Sequence, residues 1–250
     1  MAKNIIIGPG GVDSSITNKV MVGNGFTGDL ATFNGKIFIF TDPYNPLDLP
    51  SNTIRVRTND GNAPIIKAGS TQHATYDTAI LVEGTNDVYD VYKSGTSFEG
   101  ILYYSINVVE VLGANTTGIT NMRDMFKNCD GLTTVSIFDT SDVTIMRAMF
   151  HNCPHLPSVP LFNTTNATDM SYMFEFCGAL TTIPLFDTTN VTTMDDMFDF
   201  CRSVESGALA LYQRASTQAN IPTHHNTFSQ CGTDTEAGRA EMAQIPYEWK

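Results

Sequence analysis

Four consecutive segments align without a gap: NTTGITNMRDMFKNCDGLTTVSIF at 115–138, DTSDVTIMRAMFHNCPHLPSVPLF at 139–162, NTTNATDMSYMFEFCGALTTIPLF at 163–186 and DTTNVTTMDDMFDFCRSVES at 187–206. Met122, Met146, Met170 and Met194 share one phase. So do Phe126, Phe150, Phe174 and Phe198, and then Cys129, Cys153, Cys177 and Cys201. Columns that recur together every 24 residues define a tandem repeat, and periods of this length belong to units that stack. One unit cannot bury its own apolar stripe, so its neighbours must cover it.

Inside each unit Met122, Met125, Phe126 and Cys129 are spaced i, i+3, i+4, i+7, which predicts a helical turn or two with one apolar face. Thr and Asp or Asn just upstream are suitable N-caps. Leu132, Val135 and Ile137 then predict a short strand, repeated as Leu156, Val159, Leu161 and as Leu180, Ile183, Leu185. This is the rhythm of leucine-rich repeats. The alternate strand positions point outward: Thr134, Ser158 and Thr182, then Ser136, Pro160 and Pro184, then Phe138, Phe162 and Phe186. That uncharged track is the candidate binding face. If the three phenylalanines are exposed they belong to a binding face or subunit interface; if they fold over the turn they are packing.

The run Asp187-Thr-Thr-Asn-Val-Thr-Thr-Met-Asp-Asp-Met-Phe198, with the Cys and Leu columns that follow, resembles the BspA-like leucine-rich repeat, also called the DUF285 repeat. The resemblance covers about 115–206. It implies a scaffold that binds proteins or cell surfaces, found in bacterial surface adhesins and in bacteriophage proteins, and it carries no catalytic residues. The whole arrangement, a β-rich head, repeats and a C-terminal cap, resembles phage minor structural proteins.

The period extends in both directions. Phe98, Ile101, Leu102 and Ser105 fall 24 residues before Met122, Met125, Phe126 and Cys129, which places a degenerate first repeat at 91–114. Phe228-Ser-Gln-Cys231 suggests a trailing unit, displaced by a helical insertion that starts at Gly207, so 207–250 is expected to be a helical cap. Residues 1–90 show no period. Their alternating runs Lys36–Phe40, Thr53–Thr58, Ala79–Glu83 and Asp87–Tyr92 predict antiparallel strands. Asp42–Pro50 reads as a proline-rich connection and the first thirty or so residues as an arm that orders on a partner. The expected class is therefore α+β: an antiparallel β-rich domain at 1–90, a short leucine-rich-repeat solenoid of helix–strand units at 91–206, and the cap.

Charge and chemistry narrow the function. The net charge is −12, and residues 91–205 hold 5 basic and 13 acidic side chains, the wrong sign for a nucleic-acid backbone. No window approaches the ~18 apolar residues of a membrane span. The start, with one Lys and three Ile before Gly8-Pro9, is too short for a signal peptide, and no wall anchor is visible at Pro246–Lys250. Cysteines 24 apart are one core position repeated rather than metal ligands, which come in short pairs. His151, Cys153 and His155 form the one local cluster that could hold a metal, and His224-His225 lacks a third ligand. The column Asn115, Asp139, Asn163, Asp187 reads as caps and turns, with calcium as the sharper alternative. Asp124, Glu175, Asp195, Asp196 and Asp199 make an acidic side, expected on a convex solvated face. No cofactor, metal or catalytic residue is expected. The reading is a non-enzymatic bacteriophage virion component (tail, fibre or capsid decoration), assembled in the host cytoplasm and released by lysis. It would attach to other virion proteins through residues 1–90, stand in several copies, and turn its repeats toward a host-surface protein or glycan. A bacterial adhesin or interaction module is the alternative, and a carbohydrate-active enzyme with paired carboxylates comes third.

Overall fold

The computed structural model describes residues 32–33, 36–37, 49–64, 80–85 and 87–250. The proposed arm at 1–31, most of the Asp42–Pro50 connection and residues 38–40 lie outside these. The described residues form a mixed α+β fold with one five-stranded sheet and few helices. A short hairpin pairs β1 (Thr32–Phe33) with β2 (Lys36–Ile37). The main sheet comprises β3 (Thr53–Thr58), β4 (Ile80–Thr85), β5 (Val88–Lys93), β6 (Val108–Asn115) and β7 (Thr134–Val135) in the order β4-β5-β3-β6-β7.

Period-2 patterning explains this sheet. Ile54 and Val56 of β3, Tyr89 and Val91 of β5, and Val108, Val111 and Ala114 of β6 are buried on one face. On the other face Arg55 pairs with Asp90 at 2.5 Å, and Arg57 reaches Asp87 at 2.8 Å and Glu110 at 2.9 Å. Strand β6 is the joint. It runs antiparallel to β3 on one side and parallel to β7, the first strand of the repeat, on the other. One apolar core therefore runs from Ile54 and Val91 into Met125 and Phe126. The expected boundary between residues 90 and 91 falls inside β5, because that strand needs both its partners.

The Met-x-x-Met-Phe-x-x-Cys stretch is not α-helical, a correction to the sequence reading. Alternate amides serve two different partners. Met122, Asp124, Phe126 and Asn128 donate across to the carbonyls of Ile145, Arg147, Met149 and His151 in the next unit, at 2.8–3.0 Å. Met125, Lys127 and Cys129 donate back three residues, to Met122, Asp124 and Phe126. Such a chain of turns requires left-handed backbone every fourth residue, and Asp124 (φ 53°) and Asn128 (φ 61°) adopt it. The same positions are left-handed in every following unit: Ala148 and Asn152, Tyr172 and Phe176, Asp196 and Phe200. Apolar side chains at i, i+3, i+4, i+7 point inward here as they would on a helix. The pattern could not distinguish the two, because it carries side-chain direction and not the destination of the amides.

These cross-unit bonds stack the units in register. Parallel bridges run Ser97, Asn121, Ile145, Asp169, Thr193, Thr223, one residue per unit. The unit containing Phe98 is thus joined to the others, and its Gly100 and Tyr104 hold the two left-handed positions. After Phe200 the spacing lengthens from 24 to 30 residues: Met194, Asp196, Phe198 and Phe200 donate to Thr223, His225, Thr227 and Ser229. The extra residues accommodate α1 (Ala208–Ser216). Then come α2 (Glu236–Met242), whose N-cap Thr235 accepts from the Gly238 amide at 2.9 Å, and a 3-10 turn at Tyr247–Trp249. Phe126, Phe150, Phe174, Phe198 and Phe228 stack in file with centroids 5.1, 5.5, 5.3 and 5.9 Å apart, and Trp249 lies beyond Phe228 at 6.3 Å.

The strand half of each unit also departs from expectation. Only Thr134–Val135 is strand, because Pro157, Pro160 and Pro184 have no amide to donate. Pro160-Leu161-Phe162 and Pro184-Leu185-Phe186 close instead into three-residue turns, with the Phe amide donating to the Pro carbonyl at 3.0 and 2.9 Å. That turn throws the middle residue outward and the phenylalanine inward. Phe162 and Phe186 are accordingly buried, and Phe138, which follows Ser136 rather than a proline, is buried too, while Ile137, Leu161 and Leu185 are 40, 58 and 41% exposed. Their roles are the reverse of strict strand alternation.

Candidate binding faces

The repeat core spends its polar groups on stacking. Met122, Met146, Met170 and Met194, the four Phe of their column and the four Cys are all fully buried. Each thiol donates to a carbonyl 27 residues earlier: Cys129 to Leu102, Cys153 to Phe126, Cys177 to Phe150 and Cys201 to Phe174, at 3.0–3.2 Å. Burial pushes Cys129 and Cys177 up to about 12 and the other thiols well above their ordinary value, so none is a nucleophile at neutral pH. Buried Thr116, Thr140 and Thr164 donate to the carbonyls of Asp139, Asn163 and Asp187 in the following unit. The Asn115, Asp139, Asn163 and Asp187 side chains accept the amides of Thr117, Ser141, Thr165 and Thr189, two residues on, as Asx turns.

The histidine cluster does not converge. Cys153 faces the core, His155 sits 2.8 Å from the Asp130 carbonyl with its side chain 63% exposed, and His151 meets the Glu175 carboxylate at 2.8 Å. His224 stacks on Trp249 at 4.0 Å. Among the described residues no group of three or more His, Cys, Asp or Glu is gathered for a metal.

Two outer faces remain. The strand face carries Thr134, Ser158 and Thr182, which are exposed, and Ser136, Pro160 and Pro184, which are half-buried. Beside them stand Ile137, Leu161 and Leu185, which replace Phe138, Phe162 and Phe186 as the apolar file of the track. The Pro-x-Phe tripeptides were the signal that could have given this exchange at Leu161 and Leu185; Ser136-Ile137-Phe138 carries no such signal. The helix α1 closes one end of the face, with the Arg214 guanidinium donating to the carbonyls of Leu185 and Phe186 at 3.2 and 3.0 Å.

The turn face carries the titratable groups. Its acids are not uniformly solvated, against expectation. Asp124 is buried between Arg123 at 3.4 Å and Lys127 at 3.5 Å, and Asp199 is 8% exposed. Burial raises the Asp199 carboxyl, the nearby Glu175 and Asp196 charges add to this, and Ser229 opposes it. At Asp195 burial acts in the same direction, but donation from the His225 amide, the Thr223 hydroxyl and the His225 ring outweighs it, so Asp195 lies below its ordinary value. Aromatic side chains line the same face. The Arg147 guanidinium lies 4.4 Å above the Tyr172 ring, Phe176 stacks on Phe200 at 5.1 Å, and Arg202 covers Phe200 at 5.1 Å.

These features define a protein of stacked 24-residue turn units built onto a β-sheet. Residues 93–212 match the model of a family described as "Mycoplasma protein of unknown function, DUF285", a BspA-like family. No curated protein and no solved structure matches the chain.

Proposed function

We propose that the stack is a solenoid of the leucine-rich-repeat class, capped by residues 207–250, and that it is a non-enzymatic display scaffold in a bacteriophage virion. The observation that carries the scaffold reading is the strand face. It offers three exposed hydroxyl residues and three exposed aliphatic residues in straight files, with no charged side chain among them. Exposed apolar side chains in a contiguous file favour binding. Most of the turn-face carboxylates, by contrast, are engaged within the stack: Asp124 with Arg123 and Lys127, Glu175 with His151, Asp195 with Thr223 and His225, and Asp196 with Asn226. Catalysis by a carboxylate pair needs two acids across a cleft. The virion role rests on the resemblance of the whole arrangement to phage minor structural proteins, with residues 1–90 attached to other virion proteins and the repeats turned toward a host-surface protein or glycan.

The decisive experiment is mass spectrometry of purified phage particles, in which the protein should be present at several copies per particle. Its absence would remove the virion role. The description of the matched family as a Mycoplasma protein favours a second reading, a cell-surface adhesin or interaction module. Labelling of intact bacterial cells, with no prophage in the genome, would support that one instead.

A further inference from the structure

We propose that the turn face of the repeats is a self-complementary surface on which a second copy of this chain docks antiparallel. The inference does not depend on the virion reading.

The argument begins with two files of side chains that run along the stack. One reads Arg123, Arg147, Ser171, Asp195, one residue from each of four successive units; the other reads Lys127, His151, Glu175, Asp199. Both are straight and closely spaced, as contacts between adjacent units show. Arg147 Nη1 donates to the Ser171 hydroxyl at 2.5 Å, and His151 Nδ1 is 2.8 Å from Glu175 Oε2. Within the two files the basic groups occupy the first two units, and the acids Glu175, Asp195 and Asp199 the last two, with Ser171 neutral; Asp124, beside the files, pairs with Arg123 and Lys127 in the first unit. Reversing the order sets basic units against acidic ones. A two-fold axis between the second and third units would set Arg123 and Lys127 of one copy opposite Asp195 and Asp199 of the other, and Arg147 and His151 opposite Ser171 and Glu175. A closed two-fold interface demands this kind of pattern, in which one patch faces itself. Glu99, in the unit before, lies 3.9 Å from Arg123 and would be opposed by His225, whose side chain is 85% exposed.

Composition supports the same partner. The face is rich in Arg, Tyr and Phe, the residues enriched at interface centres. Tyr172, Phe176 and Phe200 lie on the two acidic units, and Phe176 is 40% exposed. The net charge of −12 makes most approaches between two copies repulsive, so attraction needs a face that carries its own segregated positive charge. Arg123 is exposed enough to supply it, at 40% of its side-chain surface.

The test is the oligomeric state of the full chain by analytical ultracentrifugation across a concentration series. A dimer is expected. Arg123→Glu alone, or Asp195→Lys alone, should weaken it by about tenfold or more, since each sets like charges face to face. The double variant Arg123→Glu/Asp195→Lys restores complementarity and should recover most of the loss. If a single variant fails to fold by circular dichroism, raising the salt concentration on the native protein provides the second arm, and dimerisation should weaken as screening grows. A native protein that stays monomeric at high micromolar concentration overturns the proposal. So does a dimer indifferent both to salt and to these charges.

Discussion

The Cys153 thiol donates its hydrogen to the main-chain carbonyl of Phe126 at 3.2 Å, and the Cys129 amide donates to that same carbonyl at 3.1 Å. One acceptor thus closes a turn within its own unit and receives the side chain of the next. This is why Cys recurs at every 24th residue: the position needs a small apolar side chain with a weak donor at its tip. The four buried thiols held this way should be inert, and so should Cys231, which is buried outside that ladder. In the native state a thiol reagent should label none of the five, and denaturant should release all of them. Replacing Cys177 by Ala should cost about 1–2 kcal/mol, from the lost bond and the small void left by the sulfur. Rapid labelling of any one thiol in the folded protein would contradict the ladder.

The left-handed positions give a second test. Ala148 (φ 52°) and Gly100 (φ 58°) hold equivalent places in two units. An L side chain at such a φ costs about 1–2 kcal/mol, while glycine adds about 0.5–1 kcal/mol of unfolded-state entropy. Ala148→Gly should therefore leave urea stability unchanged or raise it by up to about 1 kcal/mol. Gly100→Ala should lower it by up to about 1 kcal/mol, the same balance in reverse. An Ala148→Gly variant less stable than the parent by more than its lost methyl contact would mean that the turn is not strained.

What could be read in the sequence, and what could not, divides along the same line. The repeat, its period and its buried columns were legible because burial depends on side-chain direction, which Met122, Phe126 and Cys129 declare. The backbone path was not legible, since Asp124 and Asn128 permit left-handed turns but Ala148, Tyr172 and Phe200 do not announce them. On the strand side, alternation placed Leu161 inside and left Phe162 either exposed or packed over the turn. The Pro160 turn sends Leu161 outward and packs Phe162, a local rule overriding a periodic one. The segregation of charge along the turn face stood in the sequence as well, in residues 24 apart, but it carried no meaning until stacking made those residues neighbours.

Asp199 makes stability depend on pH. Its folded value lies above its ordinary one because it is buried beside Glu175 and Asp196. A carboxyl raised in the folded state contributes fully below its unfolded value of about 3.9 and loses that contribution as pH rises through the folded value. Asp199→Asn stays neutral throughout. The variant should therefore gain on the parent as pH is raised from about 4, and the gap should level off once the folded Asp199 has ionised. Melting temperatures measured in parallel on the two proteins decide this, and a gap that stays flat or narrows would reject it.

The last prediction concerns the end of the stack. Trp249 is 3% exposed, follows Phe228 in the aromatic file at 6.3 Å, and accepts the Phe228 amide on its carbonyl at 2.9 Å. It also stacks with His224 at 4.0 Å and meets Tyr212 of α1 edge-on at 5.4 Å. In a stack whose units bond only to their neighbours, an exposed last unit frays first. Trp249→Ala removes the side chain that covers it and should cost about 3–5 kcal/mol. The loss should be local before it is global. In hydrogen exchange, the amides of Met194, Asp196, Phe198 and Phe200, which donate into the 223–229 segment, should open early in the variant. Those of Met122 and Phe126, four units before the last, should keep their protection until global unfolding. Uniform acceleration along the stack would show instead that the units unfold as one, and that Trp249 is an ordinary core residue with no special place at the terminus.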